Sequence, residues 1–123
     1  MLGEGPISGA PISAADLPTP DLTIPNDKLS GYLLNLEHPD GGPKAEFFLA
    51  RGFSLTSIEI FVSALFHHGC PAHLVSEAAT EFGTKFVYEG PMPMPDDSTW
   101  RVRSVWFKAT DDSRRLLVTA YTF

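Results

Sequence analysis

The residues best suited to chemistry lie in a polar turn and the short helix after it, residues 38–52, with the sequence HPDGGPKAEFFLARG. His38 is a candidate general acid or base, because histidine titrates near neutral pH. Lys44 follows Gly41 and Gly42 at the predicted start of a helix, where free backbone N–H groups favour anions. A lysine there could neutralise charge on a reacting phosphate. The segment is not a P-loop, because the G-x-x-x-x-G-K-S/T pattern is missing.

Both side chains also have a purely structural interpretation. His38 could be a turn histidine that hydrogen-bonds the backbone between two helices. Lys44 could be a surface lysine in a first helical turn, where a cation is slightly unfavourable against the helix dipole. The sequence leaves both interpretations open.

A second group of candidates comes from the end of the chain. Residues 99–123 carry five basic residues against two acidic ones. Because an unpaired buried charge is very costly, we expect Arg103 on the open face of a sheet, beside Thr119 or Tyr121. There Arg103 and Thr119 could assist catalysis, while Arg101 and Tyr121 could bind phosphate or stack on a base. The alternative is a solvated sheet face with ordinary cross-strand pairs.

Histidine and cysteine do not indicate a metal site. His67 and His68 are adjacent on a predicted helix, so their side chains point about 100° apart. His73 lies near them, but no carboxylate cluster completes a set of ligands. Cys70 is the single cysteine, which excludes an internal disulfide and a cysteine zinc cluster. We therefore expect neither a metal nor a cofactor, and a structural role for Cys70.

Length and composition limit the class of protein. A chain of 123 residues is expected to form one domain with a single modest core. The net charge of −6 argues against wrapping a long nucleic acid by charge alone, but a small positive site remains compatible with it. The sequence lacks both an apolar run of about 18 residues and a signal-peptide pattern. We expect a cytoplasmic protein without a membrane partner.

Apolar spacing predicts the elements that position these candidates. Residues 1–25 contain five prolines and are expected to form a flexible arm, outside a domain of residues 26–123. Helical spacing predicts three helices, over residues 26–35, 43–51 and 56–68. Spacing of two predicts four strands, over residues 73–80, 84–89, 100–109 and 114–122.

Three local details follow from the same patterns. Leu36 is expected on the buried face of the first helix. Thr56 and Glu59 form an S/T-x-x-E capping box for the third helix. The segment 90–98, with three prolines, is expected to be a loop.

The last strand completes the predicted fold. Its residues Leu116, Val118 and Ala120 are expected to face the helices, and Leu117 to point away. The fold class is α+β, with two or three N-terminal helices packed on one face of a four-stranded antiparallel sheet.

Three motifs mark residues 27–121: K-L-x-x-Y-L-L-N, H-P-x-G-G-x-K-A-x-F-F and a closing L-V-T-A-Y. With these motifs the chain resembles a family of small bacterial domains of unknown function. A more distant resemblance is to C-terminal modules of bacterial polymorphic toxins, which are similar in layout to the barnase–EndoU–colicin–RelE superfamily of metal-independent ribonucleases. That resemblance implies helices packed on a four-stranded antiparallel sheet, with RNA cleaved on the open face.

Two functions follow as expectations. The first is a toxin-like ribonuclease, delivered into a target cell if it is a toxin, in which His38, Lys44, Arg103 and Thr119 act on the phosphate. In that interpretation Tyr121, Arg101, Gly41 and Gly42 hold the RNA. The second is a non-catalytic immunity or antitoxin protein that binds a basic partner, which the acidic pI of about 5.0 favours. The sequence does not indicate an oligomeric state.

Overall fold

The computed structural model describes residues 14–123, which form three helices and a five-stranded sheet. The helices are α1 (Asn26–Lys28, continued by a π-helical turn at Leu29–Leu33), α2 (Gly42–Ala50) and α3 (Ile58–His68). Short 3-10 turns lie at Ala14–Asp16, Leu55–Ser57 and Pro71–His73. The strands are β1 (Leu22–Thr23), β2 (Leu74–Ala79), β3 (Gly83–Pro93), β4 (Thr99–Ala109) and β5 (Arg115–Thr122). The α+β class is confirmed.

The sheet is mixed and has one strand more than predicted. Its order is β1-β5-β4-β3-β2, with β1 parallel to β5 and every other pair antiparallel. The prediction of four antiparallel strands is therefore wrong in this respect. Strand β1 has only two residues and lies between Pro20 and Pro25, so no alternation of residue types marks it in the sequence.

The described part of the predicted arm contacts the domain. The backbone N–H of Thr19 donates to the carbonyl oxygen of Gly69 at 3.0 Å, and its hydroxyl donates to the same oxygen at 2.6 Å. The Tyr88 hydroxyl in turn donates to the Thr19 hydroxyl oxygen at 3.1 Å. Residues 1–13 lie outside the described part of the chain, and the division at residue 25 stays a prediction.

The sheet has an inner face that carries the core and an outer face opposite to it. Tyr88, Ser104 and Trp106 point inward and are fully buried. Glu89 and Arg103 are paired across β3 and β4 and point outward. Tyr121 on β5 pairs with Arg103 and shares this outer face.

A bulge changes the orientation predicted for β5. The register between β4 and β5 shifts by one residue between Val105 and Trp106. As a result Leu117 is buried at 1% exposure, whereas Val118 is 39% exposed. The predicted orientations of Leu117 and Val118 are therefore wrong, because the extra residue of a bulge interrupts the period of two.

Strand β3 extends further than predicted. Residues 90–93 continue it, and Pro91 and Pro93 pair with residues of β4, so the predicted loop is wrong for this stretch. Strand β2 pairs with β3 only as far as Tyr88. Beyond that point β3 is an edge strand, where proline is tolerated because no neighbour needs its missing N–H.

Helix α3 covers the inner face of the sheet. Its residues Phe61, Leu65 and His68 are buried. The predicted capping box of Thr56 and Glu59 is replaced by Ser54, whose hydroxyl accepts a 3.2 Å hydrogen bond from the Ser57 N–H.

The segment of α1 lies beside β5. Leu29 and Leu33 are buried there, but Leu36 is 60% exposed, against the prediction, because the helix ends at Leu33. Strand β1 pairs only with Arg115 and Leu116, so the remainder of β5 is a free edge within the described chain. Side chains from α1 and α2 reach the outer face past this edge.

No single helix within residues 14–123 is long and apolar enough to span a membrane. The segments Gly42–Ala50 and Leu55–His68 are bent by 69° relative to each other, and only together do they reach the length and apolar composition of a membrane span.

Candidate functional site

Two helical segments position the central pair of the candidate site. Tyr32 lies in the π-helical turn after α1, and Lys44 lies in the first turn of α2. The Nζ of Lys44 donates a 2.6 Å hydrogen bond to the Tyr32 hydroxyl oxygen and lies 5.0 Å from the centre of its ring. The turn between the helices passes close to Tyr32, and a Cβ at Gly41 would collide with the Tyr32 carbonyl oxygen. Glycine at position 41 therefore allows the pair to form.

Strand β5 completes the surroundings of the Tyr32 hydroxyl. That hydroxyl lies 3.2 Å from Oγ1 of Thr119. Burial raises the pKa of Tyr32, but the hydrogen bonds with Lys44 and Thr119 and the charges of Lys44 and Lys28 outweigh it, so the pKa is lowered. Stabilisation of the phenolate makes Tyr32 better suited to proton transfer than an ordinary tyrosine.

A second cation approaches the same region from the outer face of the sheet. Arg103 donates hydrogen bonds to the Tyr121 hydroxyl at 3.3 Å and to Oε2 of Glu89 at 2.7 Å. These bonds to Tyr121 and Glu89 raise the pKa of Arg103, so it stays charged. The Lys44 Nζ and the Arg103 Cζ lie 5.6 and 5.7 Å from the centre of the Tyr121 ring. Lys44 and Arg103 therefore both border the Tyr121 ring, and each is a cation of the kind that binds a phosphate or another anion.

A small groove of about 130 Å³ opens beside these side chains. Lys44 and Tyr121 line it together with Pro43, Phe47, Phe48 and Thr122. A ligand in this groove would therefore contact both Lys44 and Tyr121.

His38 stabilises the turn in which it lies. Its Nδ1 accepts hydrogen bonds from the backbone N–H groups of Asp40 at 3.0 Å and Gly41 at 2.9 Å. Its carbonyl oxygen accepts the N–H of Gly42 at 2.7 Å, and Pro43 has no N–H. These bonds favour the structural interpretation of His38. They also leave Gly41 and Gly42 with fewer donors for an anion than the sequence suggested.

The structure brings together four of the predicted residues. Lys44, Thr119, Tyr121 and Arg103 are connected through direct contacts or through Tyr32. His38 reaches the group only through the Tyr32 ring, whose centre lies 4.8 Å from its own. The roles given to these residues stay predictions.

Arg101 lies farther along the outer face. Its guanidinium carbon is 4.7 Å from the centre of the Phe123 ring. Sequence reasoning assigned no role to Phe123.

Tyr32 is the residue that sequence reasoning missed. A usable signal was its position one helical turn after Lys28, because residues four apart on a helix are neighbours. The Nζ of Lys28 lies 5.1 Å from the centre of the Tyr32 ring. A tyrosine beside one lysine, and before a turn that leads to a second lysine, is a candidate for pKa perturbation.

A second, more apolar groove lies elsewhere. It has a volume of about 700 Å³ and is lined by α3 and the proline-rich end of β3, with His67, His68, Cys70 and His73 among its residues. Within residues 14–123, no three His, Cys, Asp or Glu side chains are arranged to hold a metal ion.

His68 in this region has a structural role. Its two ring nitrogens lie 2.8 Å from the Ser104 hydroxyl and 2.7 Å from the carbonyl oxygen of Val102. Ser104 also accepts the indole N–H of Trp106 at 2.9 Å. Burial lowers the pKa of His68 to about 4, so the ring is neutral at pH 7.

Comparison with known proteins identifies the fold and the family. The structure is similar to a chain of a contact-dependent growth inhibition toxin–immunity protein complex from Klebsiella pneumoniae 342, with a TM-score of 0.65. The sequences are 12% identical, and the match covers 81% of this chain and 98% of that chain, so the similarity shows a shared fold. No curated protein matches the sequence. Residues 17–123 match the domain of unknown function DUF6883, and the chain therefore belongs to the DUF6883 family.

Proposed function

We propose that this domain is a toxin-type ribonuclease that cleaves RNA without a metal ion. The observation that carries the proposal is the 2.6 Å hydrogen bond between Lys44 and Tyr32, together with Arg103, which contacts the same Tyr121 ring as Lys44. Cleavage by the 2′-hydroxyl of RNA needs proton transfer at two oxygens and stabilisation of a highly charged phosphorane. Tyr32, Lys44 and Arg103 supply groups of these types. The shared fold with a chain of a toxin–immunity complex supports a place in such a system, as either its toxin or its immunity protein.

In the proposed reaction Tyr32, whose pKa is lowered by its hydrogen bonds with Lys44 and Thr119, acts as the base in its phenolate form. Tyr32 takes the proton of the 2′-hydroxyl, the 2′-oxygen bonds to phosphorus, and the bond from phosphorus to the 5′-oxygen breaks. Lys44 protonates the leaving 5′-oxygen and regains a proton from Tyr32 through their hydrogen bond. The products are a 2′,3′-cyclic phosphate and a 5′-hydroxyl.

The surrounding side chains support this transfer. Arg103 neutralises charge on the non-bridging phosphate oxygens as it develops. Thr119 orients the Tyr32 hydroxyl, and Tyr121 positions Arg103 through its own hydroxyl. His38 has a structural role. Its Nδ1 accepts two backbone N–H groups of the turn, and its ring packs against the Tyr32 ring and orients it.

The test is incubation of the purified protein with total RNA in the presence of a chelator. The wild-type protein should fragment the RNA, and a Lys44→Ala variant should leave it intact. Lys108→Ala is the matched control, because it removes one lysine of β4 outside the cluster. Intact RNA with wild-type protein, together with no gain in expression on Lys44→Ala, overturns the proposal.

The alternative is an immunity-type protein that binds and masks a basic toxin. The net charge of −6 favours it, because opposite charge steers a basic partner to its surface. In that case RNA stays intact, expression is harmless, and the protein forms a complex whose association rate falls as salt concentration rises. The two functions therefore differ in both the RNA assay and the expression assay.

A further inference from the structure

Cations and aromatic rings alternate along a continuous strip of the surface. The strip starts at the helical segments, crosses the free edge of β5 and ends on the outer face of β4. Its members, in spatial order, are Tyr32, Lys44, Tyr121, Arg103, Phe123 and Arg101.

The spacing along the strip is regular. Lys44 lies 5.0 Å from the Tyr32 ring centre and 5.6 Å from that of Tyr121. Arg103 follows, at 5.7 Å from the Tyr121 ring and 4.6 Å from the Phe123 ring. The Cζ of Arg101 lies 4.7 Å from the centre of the same Phe123 ring. Each cation is therefore within the range of attraction to a ring, and the contacts orient the six side chains together.

The strip concentrates positive charge on an acidic protein. Within residues 14–123, the three cations of the strip form one ion pair, between Arg103 and Glu89. The Arg101 side chain is exposed, and Phe123 is 46% exposed, so the far end of the strip is open to a ligand. The other residues are half-buried, which holds them in position without closing them off.

This pattern fits a single strand better than a duplex. A single strand offers phosphates to the cations and unstacked bases to aromatic rings and guanidinium planes. Bases inside a duplex are stacked on each other and cannot reach the rings. A long duplex also requires many phosphate contacts, which a chain with a net charge of −6 does not supply.

We infer that the strip from Tyr32 to Arg101 binds a short single-stranded segment of RNA and leads its phosphates to the Tyr32–Lys44 pair. The inference rests on the proposed ribonuclease function, since that function identifies the polymer as RNA. It adds the substrate class, namely unpaired RNA, and it adds Phe123 and Arg101 as binding residues away from the reacting atoms.

The test measures binding separately from cleavage. The probe is a fluorescein-labelled 2′-O-methyl oligonucleotide of about eight unpaired nucleotides, within the site sizes of single-strand-binding surfaces. Methylation removes the nucleophilic proton, so the wild-type protein binds the probe without cutting it. The comparison is the same oligonucleotide annealed to its complement. The single strand should bind at least about tenfold more tightly, the effect of stacking one base.

Two variants separate charge from stacking. Arg101→Gln should weaken binding several-fold and reduce the slope of log K against log salt by about 0.7, as expected for one lost phosphate contact. Phe123→Leu should weaken binding to a similar degree and leave the slope unchanged. Lys108→Gln, which removes one positive charge outside the strip, should change neither quantity.

Each other outcome overturns the inference. It fails if the duplex binds as tightly as the single strand, if neither binds, or if Arg101→Gln and Lys108→Gln weaken binding equally. Cleavage of unmodified RNA is scored independently. If RNA is cleaved but duplex and single strand bind equally, the inference about the strip is wrong and the proposed ribonuclease function stands. If the single strand binds selectively but RNA is not cleaved, the ribonuclease function is wrong and the strip stands as a binding surface.

Discussion

The ammonium nitrogen of Lys44 lies 2.6 Å from the hydroxyl oxygen of Tyr32, although the two side chains come from different helical segments. The turn between them brings the chain back on itself, and glycine at position 41 leaves room for the Tyr32 backbone. The pair then meets β5 through Thr119 and Tyr121. A turn identified from its sequence as a possible site thus acts mainly by bringing Tyr32 and Lys44 together.

The first prediction concerns the ionisation of Tyr32. Because the bond from Lys44 stabilises the phenolate, Lys44→Met should raise the pKa of Tyr32. The ultraviolet absorbance of tyrosinate, followed as pH is raised, reports this change. The chain has three tyrosines, and the titration step that disappears in the Tyr32→Phe variant is the one that belongs to Tyr32. An unchanged titration in Lys44→Met, with Lys108→Met as control, would show that the two groups are not coupled.

The second prediction concerns the turn. Gly41→Ala should reduce the free energy of unfolding by about 1–3 kcal/mol, because its Cβ would collide with the Tyr32 carbonyl oxygen. Denaturant unfolding measures the loss. Gly31→Ala is the control, since its Cβ would lie 3.7 Å from that of Asp27, an ordinary contact, and should leave stability equal or slightly higher. Equal stability of both variants would contradict the proposed packing of the turn.

The third prediction concerns pH and the buried ring of His68. Its pKa is about 4 in the folded protein, against about 6.5 for an unfolded histidine. Between these values the unfolded chain binds a proton that the native state does not, so stability falls as pH decreases from about 6.5 to 4. The contribution is roughly 3 kcal/mol, since each pKa unit corresponds to about 1.4 kcal/mol.

The measurement is chemical unfolding of wild type and two variants across that range. His68→Gln should flatten the dependence of the free energy of unfolding on pH, because it removes the buried titrating group. His67→Gln, an exposed neighbour on the same helix, should keep the wild-type slope. If His68→Gln retains that slope, another group causes the acid sensitivity.

Much of the fold could be predicted from sequence because local patterns determine it. The period of two along β3 places Phe86 and Tyr88 on one side of the strand and Lys85 and Val87 on the other, and the first two are buried. The errors arise where the reason is non-local. The two residues of β1 are a strand only because Arg115 and Leu116 offer them a partner, and Pro91 is tolerated in β3 because β2 has already ended.

The candidate site shows the same division. Lys44 and Arg103 could be selected by residue type and by the cost of burying a charge. For Tyr32 the sequence offered only the neighbouring Lys28, because the hydrogen bond with Lys44 exists only once the turn has brought the two segments together. The alternation of rings and cations along the strip is equally invisible in sequence, since its members lie on two helical segments, on two strands and on Phe123 after the last strand.

The most direct test of the central claim is the single-turnover rate at which a defined unpaired RNA is cleaved, measured in a chelator for wild type and Tyr32→Phe. Removing the hydroxyl leaves the ring in place and should reduce the rate by about 10²–10⁴-fold, the usual effect of a general acid–base group. The wild-type products should carry 2′,3′-cyclic phosphate ends. A Tyr32→Phe variant that cleaves at the wild-type rate, or wild-type protein that leaves the RNA intact, would contradict the account.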